Sequence, residues 1–141
     1  MWVLLVTDGT VIEYAPEAYD EHAAAEDEAR RWAWILSGMG WLPVDGPFED
    51  RWHVGDHEIR IVEAAGEGTW VGTFWTWDGA PDPEAALFAT REEARAWATG
   101  SLAGIAPASL SENEWCVIAV FARGDDEAYA VVNRLKRLAV P

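Results

Sequence analysis

Two histidines and an aspartate lie close together in the sequence, at His53, Asp56 and His57. Imidazole and carboxylate groups are common zinc ligands, so this spacing could form a metal site. The flanking residues, however, predict a hairpin that turns at Gly55 and Asp56, in which alternate side chains point to opposite faces. His53 and His57 would then point apart, so we expect no metal here. His22, on the first predicted helix, has no evident partner, and we expect it to contact solvent.

The other reactive side chains lack the surroundings that catalysis needs. Cys116 lies in the most apolar run of the chain, where a cysteine usually packs as a small buried side chain. The paired acids Glu92-Glu93 and Asp125-Asp126 fall in predicted first helical turns, where they would offset the helix dipole. The sequence contains no Gly-x-Ser-x-Gly, His-Glu-x-x-His or Walker motif. We therefore expect a protein without catalytic activity, bound metal or cofactor.

Net charge separates the chain from several classes of protein. It has 25 acidic and 10 basic side chains, a formal net charge of −15, and residues 1–50 hold eleven acids against two arginines. This charge disfavours binding to nucleic acid and to anionic membranes, and it favours fast association with a basic protein. The acidity could instead be a habit of the whole proteome, since lysine occurs once and alanine 24 times. The first residues hold no basic leader segment, so we expect a cytoplasmic protein.

Tryptophan is the most unusual component, with ten in the chain. An indole buries a large apolar area, so a cluster of exposed indoles usually marks a contact site. Six tryptophans recur at matching landmarks of two similar segments and are expected to be structural: Trp2, Trp32, Trp52, Trp70, Trp97 and Trp115. The remaining four are candidates for exposure: Trp34, Trp41, Trp75 and Trp77.

The two similar segments share one order of landmarks. Each has an apolar strand that begins with Trp, an Asp-Gly turn, a Pro-Glu-Ala step, an amphipathic helix and a further apolar strand. We interpret residues of about 1–64 and 69–122 as strand–helix–strand half-repeats within a single domain, 1–141. Strands that alternate with helices predict an α+β (or α/β) fold with a mostly antiparallel sheet and helices packed on one face.

Apolar periodicity places the helices. The first is predicted over about residues 17–37, and the second begins at Thr90, whose spacing from Glu93 forms a capping box. Residues 101–113 are rich in Ser, Ala and Gly and are predicted to be a loop. Residues of about 125–139 are predicted to be a C-terminal helix, because acids precede bases along an apolar stripe of helical spacing.

Residues 51–63 predict a hairpin with a two-residue turn. Such a turn places Val54 opposite His57, His53 opposite Glu58, and Trp52 opposite Ile59. Alternation then directs one set of side chains to the core, namely Trp52, Val54, Ile59 and Ile61.

Charge and exposed indoles together predict a function that depends on contact. Carboxylates near the start of the first helix would steer a basic partner, and nearby indoles would anchor it. The residues predicted to bind this partner are Asp20, Glu21, Glu26, Asp27, Glu28, Trp34, Trp41, Trp75 and Trp77. In size, charge and lack of catalytic motifs, but in no sequence motif, the chain resembles small acidic immunity proteins and phage-encoded inhibitors.

Two alternatives remain open. Trp75 and Trp77 could form a stacking platform for a small molecule or carbohydrate, which would need a pocket beside them. Exposed indoles could also join the chain to a second copy in a homodimer, or to other proteins as an accessory subunit of a complex.

Overall fold

The computed structural model describes residues 1–8, 12, 14–75, 84–100 and 105–136. Over these residues the fold is mixed α+β, as the sequence predicts, with two helices and ten strands that pair mostly antiparallel. The helices are α1 (His22–Gly40) and α2 (Arg91–Gly100). The strands are β1 (Trp2–Thr7), β2 (Glu17–Tyr19), β3 (Val44–Asp45), β4 (Arg51–Val54), β5 (His57–Gly66), β6 (Trp70–Trp75), β7 (Glu84–Phe88), β8 (Ser109–Glu112), β9 (Cys116–Arg123) and β10 (Asp126–Arg134).

The chain folds into two compact units. The described residues of Met1–Glu63, together with Lys136, form unit 1, and those of Ala64–Leu135 form unit 2. Hydrogen-bonded strands follow the order β2-β1-β5-β4-β3 in unit 1 and β7-β6-β10-β9-β8 in unit 2, with every neighbouring pair antiparallel. Among the residues that the structure describes, each unit thus has two strands before its helix and three after it. The end of β5 adds a parallel pairing with β7 inside unit 2.

Helix α1 packs on one face of the unit 1 sheet through small side chains. Its buried positions recur at helical spacing and are Ala25, Ala29, Ala33 and Leu36. Trp52 on β4 lies in the same core cluster and is only 2% exposed, so a large ring complements the small alanines. The predicted helix start at residue 17 is wrong. Residues 17–19 form β2, which pairs with β1, and the helix begins at His22.

The hairpin of β4 and β5 has the predicted register. Val54 pairs with His57, His53 with Glu58, and Trp52 with Ile59. The four residues predicted to face the core all belong to the unit 1 core cluster. Because a two-residue turn and strict alternation fix every position, the sequence alone determined this element.

Helix α2 forms where the capping box predicts it. The backbone N–H of Glu93 donates to the Thr90 hydroxyl at 3.2 Å, and Ala94 and Ala98 are fully buried. Trp97 packs against the unit 2 core cluster. Gly72 on β6 makes room for this ring, since a Cβ there would lie 2.4 Å from the Trp97 six-membered ring.

The predicted C-terminal helix is wrong over its described residues. Residues 126–134 form β10, which pairs with both β9 and β6. Gly124, with φ of 64°, supplies the left-handed turn that starts the hairpin, so Asp125-Asp126 lies at a turn and strand start instead of a first helical turn. Buried side chains alternate along the strand at Ala128, Ala130 and Val132. The predicted loop at 101–113 likewise contains a strand, β8, which pairs with β9.

Candidate protein-interaction surface

Two tryptophans of unit 1 are almost fully in solvent. Trp34 is 79% exposed and Trp41 is 94% exposed. Trp34 follows the buried Ala33 by one residue, and one residue turns an α-helix by about 100°, so its ring points away from the sheet. Trp41 lies seven residues further along, about 10 Å at 1.5 Å per residue. The predicted exposure of both rings is confirmed.

Trp41 also has an unfavourable backbone conformation. It follows the last residue of α1 with φ of 53°, in the left-handed region that glycine normally fills at a helix end. The next residue, Leu42, donates its N–H to the Ser37 carbonyl at 3.1 Å and packs against the core cluster. Leu42 therefore supplies the packing contact of this helix end, whereas the Trp41 ring supplies none. The left-handed form costs a non-glycine residue roughly 1–2 kcal/mol.

The segment that follows α1 carries further exposed apolar side chains. Phe48 is 75% exposed, and Val44 on β3 is partly exposed. Phe48 and Arg51 exchange two backbone hydrogen bonds, at 2.8 and 3.1 Å, around Glu49 and Asp50. Both central residues have positive φ, the geometry of a tight hairpin turn that usually selects Asn or Gly. We call the outward face of α1 together with residues 41–50 the α1 surface.

Four other tryptophans pack against the cores of the two units, unlike the exposed pair. Trp2 and Trp70 begin the first strand of each unit, and both pack partly buried against their cores. Trp32 and Trp97 each precede a buried alanine and also pack against their cores. Trp34 comes two residues after Trp32, and two residues after Trp97 is Thr99, whose hydroxyl donates to a carbonyl of its own helix. Two residues after the packed tryptophan of its helix, unit 1 therefore has an exposed indole and unit 2 has a short polar side chain.

Three of the five predicted acidic residues form ion pairs on their own helix. Glu26 approaches Arg30 at 3.5 Å, and Asp27 approaches the same guanidinium at 3.4 Å. Glu28 lies 3.5 Å from Arg31. These contacts are i,i+3 and i,i+4 pairs, each of which stabilises a helix by a few tenths of a kcal/mol. The two arginines also offset part of the negative charge of α1.

The other two predicted acids, Asp20 and Glu21, lie just before α1. They line an open cavity of about 360 Å³ together with Met1, Ala18, Tyr19 and Ala24. Across the part of the chain that the structure describes, neither carboxylate has an ion-pair partner. Glu21 precedes the first helical residue but makes no side-chain capping bond. These two acids therefore remain available to a cation from outside.

His22 contacts two carboxylates, which corrects the expectation that it only meets solvent. Its Nε2 lies 2.9 Å from the Asp50 carboxylate, and its Nδ1 lies 2.8 Å from Glu26. The Trp2 ring packs edge-on against the imidazole, with centroids 4.7 Å apart. The hydrogen bond with Asp50 is the largest influence, and it raises the pKa of His22 above its ordinary value. Sequence reasoning missed this contact because Asp50 lies 28 residues away.

Glu17 is a second carboxylate that sequence reasoning misplaced, within the predicted first helix. It lies on β2, almost completely buried, where the Tyr19 hydroxyl donates to it and the Lys136 ammonium lies 3.4 Å away. Burial, followed by the hydrogen bond to Glu17, raises the pKa of Tyr19 well above its ordinary value. The arrangement satisfies a buried charge and forms part of the unit 1 structure.

The predicted aromatic platform of unit 2 is only partly described. Trp75 is half-buried, and its Nε1–H donates to the Thr73 hydroxyl at 3.0 Å. Trp77 lies outside the described residues. Trp75 and Phe74 occupy opposite faces of β6, as predicted, and Phe74 belongs to the core cluster.

Trp115, which was expected to be structural, is 55% exposed. In unit 1, Trp52 lies two residues before the end of β4 and pairs with Ile59, and in unit 2 the residue two before the end of β9 is the buried Phe121, which pairs with Ala128. Trp115 therefore does not occupy the position of Trp52. Instead, the Arg134 guanidinium lies over its ring, 5.4 Å from the centroid.

The described residues can also be compared with the patterns of metal ligands, reactive thiols and membrane-spanning helices. Within residues 1–8, 12, 14–75, 84–100 and 105–136, no three His, Cys, Asp or Glu side chains are grouped as metal ligands. Burial raises the pKa of the half-buried Cys116 thiol, which makes it a weaker nucleophile. Neither described helix is long and apolar enough to cross a membrane. Comparison with protein-family profiles, with curated proteins and with solved structures finds no match to this chain.

Proposed function

We propose that this protein acts by binding a basic protein through the α1 surface, as an inhibitor or immunity-type protein, without catalysis or a cofactor. The observation that carries the proposal is the exposure of Trp34 and Trp41, at 79% and 94%. Large indoles fully in solvent are unfavourable for a lone protein, and tryptophan is the residue most enriched among the anchors of protein interfaces. As part of the same proposal, the protein acts in the cytoplasm.

The comparison between the two units supports a role for these indoles beyond folding. We propose that the units are half-repeats of one plan. Side chains that the plan itself requires should then occur at matching positions of both units. Trp32 has a packed counterpart in Trp97, whereas Trp34 corresponds to Thr99. At Trp41 the chain accepts left-handed backbone without any packing by the ring. Strain that folding does not require is typical of functional positions.

The negative charge of residues 20–50 favours a basic partner. Residues 20–50 carry eight acids and two arginines, and the acids include the exposed Asp20, Glu21, Asp45 and Glu49. The ion pairs on α1 reduce this field but do not cancel it, because both arginines are already engaged by Glu26, Asp27 and Glu28. A basic partner would be attracted over roughly a Debye length, about 8 Å at physiological salt. Indoles at the centre and carboxylates around them fit the usual anatomy of an interface.

Affinity capture with matched variants tests the proposal. The tagged wild-type chain, incubated with extract of its native host, should retain a basic protein that salt releases. Trp34→Ala with Trp41→Ala should lose it, since truncation of an anchor costs about 2 kcal/mol or more, or at least 30-fold in affinity. Trp115→Ala is the control, because this ring is exposed but lies in unit 2. Equal capture by the double variant and the wild type would refute the proposal.

Sedimentation equilibrium separates a basic partner from self-association. If Trp34 and Trp41 instead join two copies, the wild type should sediment as a dimer and the double variant as a monomer. That result would replace the basic partner with a homodimer. With a net charge of −15, two copies would repel each other, which favours a partner of opposite charge.

The small-molecule alternative has weaker support than the α1 surface. It depends on Trp75 and Trp77, and the Trp75 ring is half-buried with its N–H engaged by Thr73. A stacking platform needs an accessible ring face, which Trp34 and Trp41 offer to a greater degree.

A further inference from the structure

The imidazole of His22 lies between two carboxylates from different parts of unit 1. Nε2 is 2.9 Å from both oxygens of Asp50, in the turn of residues 48–51, and Nδ1 is 2.8 Å from Glu26 on α1. A neutral imidazole has one N–H, so only the doubly protonated imidazolium can donate to both carboxylates at once. The cation also separates two negative charges that would otherwise face each other across the ring.

We propose that His22 is a pH-dependent clasp that holds the turn of residues 48–51 against the start of α1 and so regulates the α1 surface. With the imidazolium present, the turn is docked. When the ring loses a proton, one of its two carboxylate contacts is lost, and Glu26 and Asp50 are left with no positive charge between them. Their repulsion then favours release of the turn.

The turn is well suited to move when the clasp opens. Glu49 and Asp50 both adopt left-handed backbone, with φ of 51° and 60°, a conformation that costs energy in residues other than glycine and so leaves the turn dependent on the contacts that hold it. The Asp50 carboxylate contacts His22, and the Asp50 backbone carbonyl accepts a hydrogen bond from the Ile61 N–H at 3.0 Å. Phe48, at the start of the turn, is exposed and part of the α1 surface. Movement of the turn would therefore reposition one of the apolar side chains offered to a partner.

The groups that face His22 set the direction of the response. They are Asp50 on the turn, Glu26 on α1, and the uncharged Trp2 ring on β1. The Arg30 guanidinium lies 3.5 Å from the other carboxylate oxygen of Glu26. The two carboxylates raise the pKa of His22 above 6.5, with the hydrogen bond to Asp50 as the largest cause. The clasp is therefore fully closed below about pH 6.5 and opens as pH rises through the raised pKa.

NMR titration tests the clasp directly on the full chain. The ¹⁵N signals of the His22 ring should titrate with a midpoint above 6.5, and the backbone amide signals of residues 48–51 should shift with the same midpoint. By linkage, the docking equilibrium should change about tenfold for each unit by which docking raises this pKa. A midpoint at or below 6.5, or turn signals that do not follow the ring, would overturn the clasp.

Charge variants provide the matched controls. His22→Arg keeps a permanent cation that can donate to both carboxylates, so the turn should stay docked across the pH range. His22→Gln has no charge, so the turn should stay released. His53→Gln, at an exposed histidine whose ring lies 3.8 Å from Glu58, should leave the transition unchanged. If His22→Arg fails to fold, Asp50→Asn should lower the midpoint of the His22 ring, and an unchanged midpoint would overturn the proposal.

The regulatory step rests on the proposed function and is tested separately. The affinity of the captured basic partner should change with the midpoint of the clasp in the wild type and stay constant in His22→Arg. A partner that requires Trp34 but binds wild type with no such transition would overturn the regulation and leave the proposed function intact. If no partner depends on Trp34 or Trp41, the proposed function fails, while the NMR titration still decides whether the clasp exists.

Discussion

Trp32 and Trp34 lie two residues apart on the same helix, yet Trp32 packs against the core of unit 1 while Trp34 is 79% exposed. Two residues turn an α-helix by about 200°, so the two rings point in nearly opposite directions. On α2, Trp97 likewise packs against its core, and the residue two positions later is Thr99. This contrast separates an indole that the fold uses from one that is available to a partner.

Removal of an exposed indole should change the free energy of unfolding much less than removal of a buried one. Trp34→Ala, which removes a side chain that buries little, should change the free energy of unfolding by about 0.5 kcal/mol or less. Trp52→Ala, at a ring 2% exposed, should cost about 3–5 kcal/mol. Urea denaturation monitored by circular dichroism measures both. A large loss of stability in Trp34→Ala would mean that this ring is structural after all.

The second prediction concerns the backbone at position 41. Trp41→Gly removes the cost of left-handed backbone, so it should raise the free energy of unfolding by about 1 kcal/mol. The same variant should lose the proposed partner, because the ring is gone. Trp41→Ala, which keeps the Cβ and the strain, is the control for stability. A destabilised Trp41→Gly would contradict the assignment of strain to this residue.

The third prediction concerns the buried carboxylate of unit 1. Tyr19→Phe removes the hydroxyl that donates to Glu17, and hydrogen bonds to charged groups contribute about 1.5–3 kcal/mol. We expect a loss of about 2 kcal/mol in the free energy of unfolding. Tyr129→Phe is the matched control, since its hydroxyl donates to Glu127 on the protein surface, and it should change stability much less. Equal effects of the two variants would show that burial of Glu17 does not strengthen its hydrogen bond.

The fourth prediction concerns packing in unit 2. Gly72→Ala would place a Cβ 2.4 Å from the Trp97 ring, so the ring must shift. Overpacking of this kind costs about 1–3 kcal/mol. Gly100→Ala is the control, because a Cβ there meets nothing within 4 Å. If Gly72→Ala were as stable as the wild type, Trp97 could not be held firmly against β6.

Elements set by local chemistry could be predicted from the sequence. The β4–β5 register follows from a two-residue turn, and the start of α2 follows from Thr90 and Glu93. The error at β10 arose because its apolar residues fit helical spacing as well as alternation. Long-range pairing with β6 and β9 decided between the two, and no local signal encodes that pairing.

Only the part of the α1 surface that depends on local sequence could be predicted. The exposure of Trp34 follows from its position beside Ala33 on a periodic helix, which is local. The contact of His22 with Asp50 spans 28 residues and exists only because the segment after α1 folds back to the helix start. Sequence spacing carries no information about such a contact.

Oxidative footprinting of the captured complex shows whether the partner covers Trp34 and Trp41. Hydroxyl radicals oxidise exposed indoles, and mass spectrometry reports the extent of oxidation at each tryptophan. In the free protein, Trp34, Trp41 and Trp115 should all be oxidised, because all three are exposed. Bound to its partner, the chain should be protected at Trp34 and Trp41 while Trp115 reacts as before. Unchanged oxidation of Trp34 and Trp41 in the complex would mean that the partner binds elsewhere and that the α1 surface is not its binding site.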